Sequence, residues 1–153
     1  MNLGLVLANA GRLDDAIVHY RRAIALDPEL PAAWNNLAVA LERTGTVAEA
    51  LDAYRTAVRI QPGDPRARFN LGAVLFGQGL AREAAEQYRE VVRIDPTIPE
   101  AHAALGEALA ATGDTPGAIT AFQHALERRP DWSAVTIRIQ ELRAQSISST
   151  PAH

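Results

Sequence analysis

The chain has 153 residues and a formal net charge of −3, and apolar residues make up 48% of it while aromatic residues make up 5%. The weak negative charge argues against nucleic acid and anionic membranes as partners. Cysteine is absent, which excludes disulfides and thiol-based metal or catalytic sites. No apolar run approaches the roughly 20 residues that span a bilayer, and the N-terminus lacks the basic start of a signal peptide. A cytoplasmic location is therefore the default.

All 15 basic residues are arginine. We interpret this bias as the codon usage of a GC-rich, bacterial genome and not as a functional choice.

Apolar residues recur at helical spacing along nearly the whole chain, which predicts consecutive pairs of helices. The first helix, which contains Leu3, is about one turn shorter than its later counterparts. The predicted bounds of the helices that follow are 13–26, 31–44, 47–60, 65–78, 81–94, 99–112, 115–128 and 133–144.

Residues at the predicted helix starts are suited to capping. Thr46 followed by Glu49 matches a capping box. Asp64 is the expected N-cap of the helix that begins at 65. Thr115 and Pro116 are the expected cap and first-turn residue of the helix at 115–128, because proline loses nothing in a first turn.

The same helix pair returns every 34 residues, a period typical of solenoid proteins. A glycine follows the first helix of every pair, where the left-handed backbone conformation is cheapest for glycine. The equivalent residues are Leu3, Leu37, Leu71 and Leu105; Gly11, Gly45, Gly79 and Gly113; and Pro28, Pro62, Pro96 and Pro130.

The recurring residues resemble the signature of the tetratricopeptide repeat (TPR) family, over roughly residues 1 to 130. In the second unit they are Trp34, Leu37, Ala38, Leu41, Gly45, Ala50, Tyr54, Ala57 and Pro62. The resemblance implies an all-α, right-handed superhelix (α-solenoid) of about three and a half repeats plus a C-terminal capping helix. The implied domain spans 1–145, with repeats at about 1–30, 31–64, 65–98 and 99–132, a capping helix at 133–144 and a disordered tail at 146–153.

Most recurring residues are predicted to build the core. Tyrosine or phenylalanine fills one equivalent position of the second helices, and alanine occupies the position of tightest approach, where a larger side chain would overpack. The predicted core residues are Leu3, Leu7, Leu37, Leu41, Leu71, Leu75, Leu105 and Leu109; Tyr20, Tyr54, Tyr88 and Phe122; and Ala16, Ala50, Ala84 and Ala118.

Asn2, Asn36 and Asn70 form a column that the core does not explain, since asparagine is a mediocre helix former. Each carboxamide is both donor and acceptor, so the column could hold the backbone of an extended peptide. It is similar to the asparagine ladder in the TPR region of O-linked N-acetylglucosamine transferases, although it stops at Ala104 in the fourth repeat. The alternative is that these asparagines bond to neighbouring helices.

Phe69 and Phe76 lie one helix face apart and are not required by the repeat, so they are a candidate anchor pocket for a partner side chain; packing against the next repeat is the alternative. First helices line the concave groove of TPR superhelices. The residues predicted to bind a peptide there are Asn2, Asn35, Asn36, Val39, Arg43, Arg66, Phe69, Asn70, Phe76 and Glu107.

A carboxylate clamp, as in the TPR co-chaperones, is not favoured. Asn36 and Arg66 match the clamp in residue type, but Met1, Leu5 and Asn70 stand where other polar or basic residues are needed.

No catalytic or metal-binding pattern is present. The chain has no P-loop, no dinucleotide-binding turn and no GxSxG elbow. Its four histidines, His19, His102, His124 and His153, lack partners at metal-ligand spacing. We therefore expect surface or half-buried histidines, no cofactor and no enzymatic activity.

The first hypothesis for function is a non-catalytic scaffold that binds a peptide segment of a partner protein in the concave groove. A second is the targeting region of a larger enzyme, for example a glycosyltransferase, whose catalytic domain is absent. A third is self-assembly, in which the apolar edge left by the short first helix contacts another copy.

Overall fold

The computed structural model describes residues 2–148. Every regular element in that range is an α-helix, and no β-strand occurs in it. The helices are α1 (Asn2–Asn9), α2 (Leu13–Leu26), α3 (Pro31–Arg43), α4 (Val47–Ile60), α5 (Pro65–Gly77), α6 (Ala81–Ile94), α7 (Pro99–Ala111), α8 (Thr115–Arg128) and α9 (Ser133–Ser148).

The predicted bounds agree closely with the observed helices. The second helix of every pair has the predicted start and end, and α3, α5 and α7 each end one residue earlier than predicted. The largest difference is in α9, which continues to Ser148 instead of ending at 144. No glycine or proline lies between Pro130 and Pro151 to interrupt this helix. Residues 146–148 of the predicted disordered tail are helical. The rest of that tail lies outside the described residues.

The predicted glycine turns are confirmed. Gly11, Gly45, Gly79 and Gly113 have φ angles of 78°, 82°, 77° and 86°, and no other described residue has a positive φ. This left-handed conformation costs glycine little because it has no Cβ. The backbone N–H of the next residue then returns to the preceding helix, as from Thr46 to the carbonyl of Leu41 at 2.9 Å.

Two of the predicted caps are wrong. Thr46 makes no capping hydrogen bond, and its hydroxyl oxygen lies 3.4 Å from that of Thr44 instead. The cap of α8 is Asp114, one residue before the predicted Thr115, because its carboxylate accepts from the backbone N–H of Gly117 at 3.0 Å. The prediction for Asp64 is confirmed, since its carboxylate accepts from the N–H of Arg66 at 2.9 Å.

The chain divides into two compact units between Val74 and Leu75, and each is described by itself. In unit 1 (residues 1–74), α2 packs against α1 and α3, and α3 packs against α4. In unit 2 (residues 75–153), α7 packs against α6 and α8, and α8 packs against α9. The single domain 1–145 and the right-handed superhelix stay predictions.

The predicted core residues are buried, with one exception. Tyr20, Tyr54 and Phe122 are each 1% exposed, and the four alanines of the tight position are fully buried. Leu3 is the exception, because 54% of it is exposed whereas its equivalents are buried. The equivalent Leu37 lines a pocket together with Ile24 of the preceding helix α2, and no described helix precedes α1.

One side chain in each of three repeats donates to the carbonyl of the preceding turn proline. Trp34 Nε1 donates to the Pro28 carbonyl at 2.8 Å, and Arg68 Nε donates to the Pro62 carbonyl at 2.7 Å. His102 Nε2 lies 2.9 Å from the Pro96 carbonyl and is only 4% exposed. The prediction of surface or half-buried histidines is therefore wrong for His102, which takes the structural place of a tryptophan.

Candidate peptide-binding surface

The predicted binding residues are divided between the two units. Unit 2 contains Phe76 and Glu107. The other predicted residues lie in unit 1, on α1, α3 and α5: Asn2, Asn35, Asn36, Val39, Arg43, Arg66, Phe69 and Asn70.

Asn35 and Asn70 join two neighbouring first helices of unit 1. Asn70 Nδ2 donates to Asn35 Oδ1 at 3.3 Å, and both side chains are half-buried. This bond uses one donor and one acceptor. A carboxamide offers two donor hydrogens and two acceptor lone pairs, so the Nδ2 of Asn35 and the Oδ1 of Asn70 still have hydrogen-bonding capacity.

The predicted column differs from the observed bonding. Asn36 is half-buried on α3 and Asn2 is exposed on α1. Within residues 2–148, no hydrogen bond joins Asn2, Asn36 and Asn70 to one another. Asn70 bonds to Asn35 instead. The alternative that an asparagine bonds to a neighbouring helix thus describes Asn70. Val39 is half-buried one turn beyond Asn35.

Two arginines lie on the same helices as these asparagines, Arg43 on α3 with Asn35 and Arg66 on α5 with Asn70. Arg43 is exposed, and its Nη1 donates to the Ala8 carbonyl at 3.2 Å. The Arg66 side chain is 86% exposed, and its Nε lies 3.5 Å from the Asp64 carboxylate. Contacts of this exposure contribute little stability, so both guanidiniums can exchange them for a ligand.

The two phenylalanines of the predicted anchor have different environments. Phe69 is half-buried in unit 1, and Phe76 belongs to unit 2 with 37% of its surface exposed. Their joint role as an anchor pocket stays a prediction.

Glu107 lies beside an open cavity in unit 2 that was not predicted from the sequence. The cavity has a volume of about 370 Å³, and α7 and α9 supply most of its lining. Its lining includes the buried residues Ala103, Phe122 and Val135 and the half-buried Trp132. At the rim, both oxygens of Glu107 lie 3.2 Å from Arg138 Nε.

Family models identify the repeat on both sides of α5. Models described as tetratricopeptide repeat match residues 1–65 and residues 75–145. The chain belongs to the tetratricopeptide repeat family. These matches confirm the resemblance to TPR proteins that the sequence indicates. Proteins of this family are generally non-catalytic interaction scaffolds.

Solved TPR structures share the fold. A crystal structure of MamA is 18% identical with a TM-score of 0.90, covering 95% of this chain and 85% of that one. The structure of MamA MSR-1 is 24% identical with a TM-score of 0.84, covering 96% and 84%. PilF of Pseudomonas aeruginosa is 24% identical with a TM-score of 0.80, covering 96% and 67%. A comparison with curated proteins finds no match.

The TPR helices described here show neither a metal centre nor a membrane span. Among residues 2–148, no three histidine, aspartate or glutamate side chains converge so that they could hold a metal ion. Over the same range, every helix is too short or too polar to cross a bilayer.

Two features of this TPR chain are not predictable from the sequence, because both depend on how the repeats pack against one another. A period of 34 places Asn70 in register with Asn36, but adjacent helices are offset so that Asn70 meets Asn35. Ala104 occupies the register of Asn70 in the fourth repeat. Its small side chain leaves the space that Trp132 borders. The loss of asparagine at Ala104 was visible in the sequence, and it was the available signal for the cavity.

Proposed function

We propose that this chain is a non-catalytic scaffold whose first helices in unit 1 hold an extended peptide segment of a partner protein. The observation that carries the proposal is the hydrogen bond between Asn70 and Asn35. It fixes both carboxamides and leaves a donor on Asn35 and an acceptor on Asn70. A peptide unit offers one carbonyl and one N–H, so the pair complements a backbone and does not depend on the ligand's side chains.

The charges of unit 1 support a ligand with carboxylates near its backbone contact. Arg43 and Arg66 are exposed, and within residues 2–148 Arg66 has a long ion pair to Asp64 while Arg43 has none. Such charges favour encounter and orientation of an acidic segment more than they raise affinity. Val39 and Phe69, both half-buried, supply apolar surface for the ligand's side chains.

Photo-crosslinking tests where a partner binds. A benzoylphenylalanine residue replaces Val39 on α3 in one variant and the exposed Ala48 on α4 in a matched control. The proposal predicts a covalent partner band from the Val39 variant and none from the Ala48 variant. A band of equal intensity from both, or from Ala48 alone, would contradict it.

Self-association is a second candidate function, and the exposed end of α1 favours it. Leu3 is 54% and Val6 is 63% exposed, whereas the equivalent residues of the three later repeats are buried. Burial of such side chains against a second copy would be favourable. Light scattering should then show a dimer that Val6→Glu converts to a monomer. A monomer at high micromolar concentration would rule this function out.

The alternative in which this chain is the targeting region of a larger enzyme stays a prediction.

A further inference from the structure

We infer that the cavity of unit 2 is a binding pocket for one large apolar side chain of a peptide, flanked by a lysine or arginine. The inference rests on the proposed scaffold function and adds the chemistry of the ligand.

The buried part of the cavity lining is apolar and rigid. Ala103 is 8%, Phe122 is 1% and Val135 is 4% exposed, so these side chains are fixed by the packing of α7, α8 and α9. A volume of about 370 Å³ lies within the usual range for ligand pockets. It accepts a side chain of the size of leucine, methionine or phenylalanine.

Two half-buried residues, Trp132 and Ala104, complete the apolar lining. Trp132 is half-buried, and the Arg129 guanidinium carbon lies 4.7 Å from its ring centroid. This contact covers an indole face and holds the ring in place. Ala104 is also half-buried and lines the cavity, at the position where the earlier repeats have Asn70 and Asn36. The polar backbone-binding position of unit 1 is thus replaced by an apolar recess.

The rim has one more negative than positive charge. Arg138 contacts Glu107 through Nε at 3.2 Å and Glu141 through Nη1 at 3.1 Å, so one guanidinium serves two carboxylates. Glu100 lies 3.5 Å from Arg129, which balances it. The remaining charge is at Glu107 and Glu141, and a cation beside the inserted side chain would neutralise it. An acidic neighbour would add a third carboxylate and be repelled.

The test uses the full chain and three short peptides. They are an acetylated, amidated pentapeptide Gly-Arg-Leu-Arg-Gly, its charge-reversed form Gly-Glu-Leu-Glu-Gly, and its apolar-deleted form Gly-Arg-Ala-Arg-Gly. Binding is followed by the two indole N–H signals in a nitrogen–proton NMR spectrum. Trp132 reports on the cavity, and Trp34 in unit 1, whose N–H is bonded to Pro28, is the internal control.

The arginine-leucine peptide should shift the Trp132 signal in a saturable way and leave the Trp34 signal unchanged. The other two peptides should bind at least about ten-fold more weakly, a difference of about 1.4 kcal/mol. Ala104→Leu should abolish the shift by filling the cavity. Glu107→Gln should remove the preference over the glutamate peptide, and Ala48→Leu, at an exposed site on α4, should change nothing.

Equal shifts from the arginine and glutamate peptides, or an unchanged shift in the Ala104→Leu variant, would overturn the inference. So would the absence of any saturable shift at millimolar peptide. Failure here is distinguishable from failure of the proposed function, because crosslinking at Val39 reports on unit 1 alone. Crosslinking without peptide binding would overturn only the pocket, and peptide binding without crosslinking would overturn only the unit 1 surface.

Discussion

His102 makes the hydrogen bond that Trp34 makes two repeats earlier. Trp34 Nε1 donates to the Pro28 carbonyl at 2.8 Å, and His102 Nε2 lies 2.9 Å from the Pro96 carbonyl. A carbonyl oxygen only accepts, so Nε2 of His102 carries the proton. The imidazole therefore replaces an indole as a buried donor, and unlike the indole it can take up a second proton.

The stability of the chain should fall in mild acid because of His102. Burial lowers the pKa of His102, and electrostatic interactions with Arg128 and His124 lower it further, against an opposing effect of the Pro96 hydrogen bond and of Glu127. Between this lowered pKa and the ordinary value near 6.5, the unfolded state binds a proton that the folded state does not. The contribution to stability is thus complete above about pH 6.5 and lost as the pH falls through that window.

Urea unfolding at several pH values measures this effect. His102→Gln keeps a donor for the Pro96 carbonyl but cannot titrate, so its stability should depend less on pH in this window than that of the wild type. His19→Gln, on the half-buried face of α2, is the control. Parallel pH profiles for wild type and His102→Gln would contradict the assignment.

Gly106→Ala should destabilise unit 2 by about 1–3 kcal/mol, the usual cost of overpacking. A Cβ at this position would lie 2.7 Å from the ring of Phe122, which is 1% exposed, so the buried ring would have to shift. Gly77→Ala is the matched control, because nothing lies within 4 Å of a Cβ at Gly77. Denaturant midpoints should fall for Gly106→Ala only, and equal midpoints for the two variants would refute the close contact.

Tyr54 should contribute to stability through both its ring and its hydroxyl. Its side chain is 1% exposed, and the hydroxyl donates to the Glu42 carboxylate at 3.0 Å. We expect Tyr54→Ala to cost about 3 kcal/mol, as for other buried aromatics. Tyr54→Phe should cost about 1 kcal/mol, because it removes only the hydrogen bond. In a Glu42→Ala background, which removes the acceptor, a full additional loss from Tyr54→Phe would show that the two groups do not interact.

The three tyrosines should ionise only when the fold opens. Burial raises the pKa of Tyr88 to about 12 and also raises those of Tyr20 and Tyr54, the last with help from the Glu42 carboxylate. The unfolded chain releases these protons near pH 10. The contribution to stability is therefore complete below about pH 10 and is lost as the pH rises from there towards the raised pKa values of the folded state. Phenolate absorbance should appear together with loss of the helical circular-dichroism signal, and a phenolate signal near pH 10 from a fully helical chain would contradict this.

The fold could be predicted from the sequence because each repeat carries its own local signals. Proline starts α3 and α7, glycine takes positive φ after the first helices, and alanine and tyrosine recur in the core. These features depend on residues within one turn or one helix pair. The caps were less predictable. The hydroxyl of Thr46 lies 3.4 Å from the hydroxyl of Thr44 and makes no capping hydrogen bond to the backbone of α4.

The candidate sites depend on contacts between residues 31 to 35 positions apart, which a repeat period does not specify. Asn70 could have faced Asn36 or Asn35, and only the offset of α3 and α5 decides for Asn35. The predicted asparagine column stops at Ala104, and the pairing of Arg138 with Glu107 depends on how α9 lies on α7. The exposure of Leu3 also depends on its neighbours and not on its own residue type.

The affinity of a crosslinked partner for wild type and for an Asn35→Ala, Asn70→Ala variant tests the scaffold account most directly. Each lost backbone hydrogen bond should cost about 1 kcal/mol, so the dissociation constant should rise by about 30-fold in total. Asn9→Ala, an exposed asparagine of α1, is the control and should bind as tightly as wild type. Circular dichroism should confirm that all variants remain helical. An unchanged dissociation constant for the double variant would contradict the account.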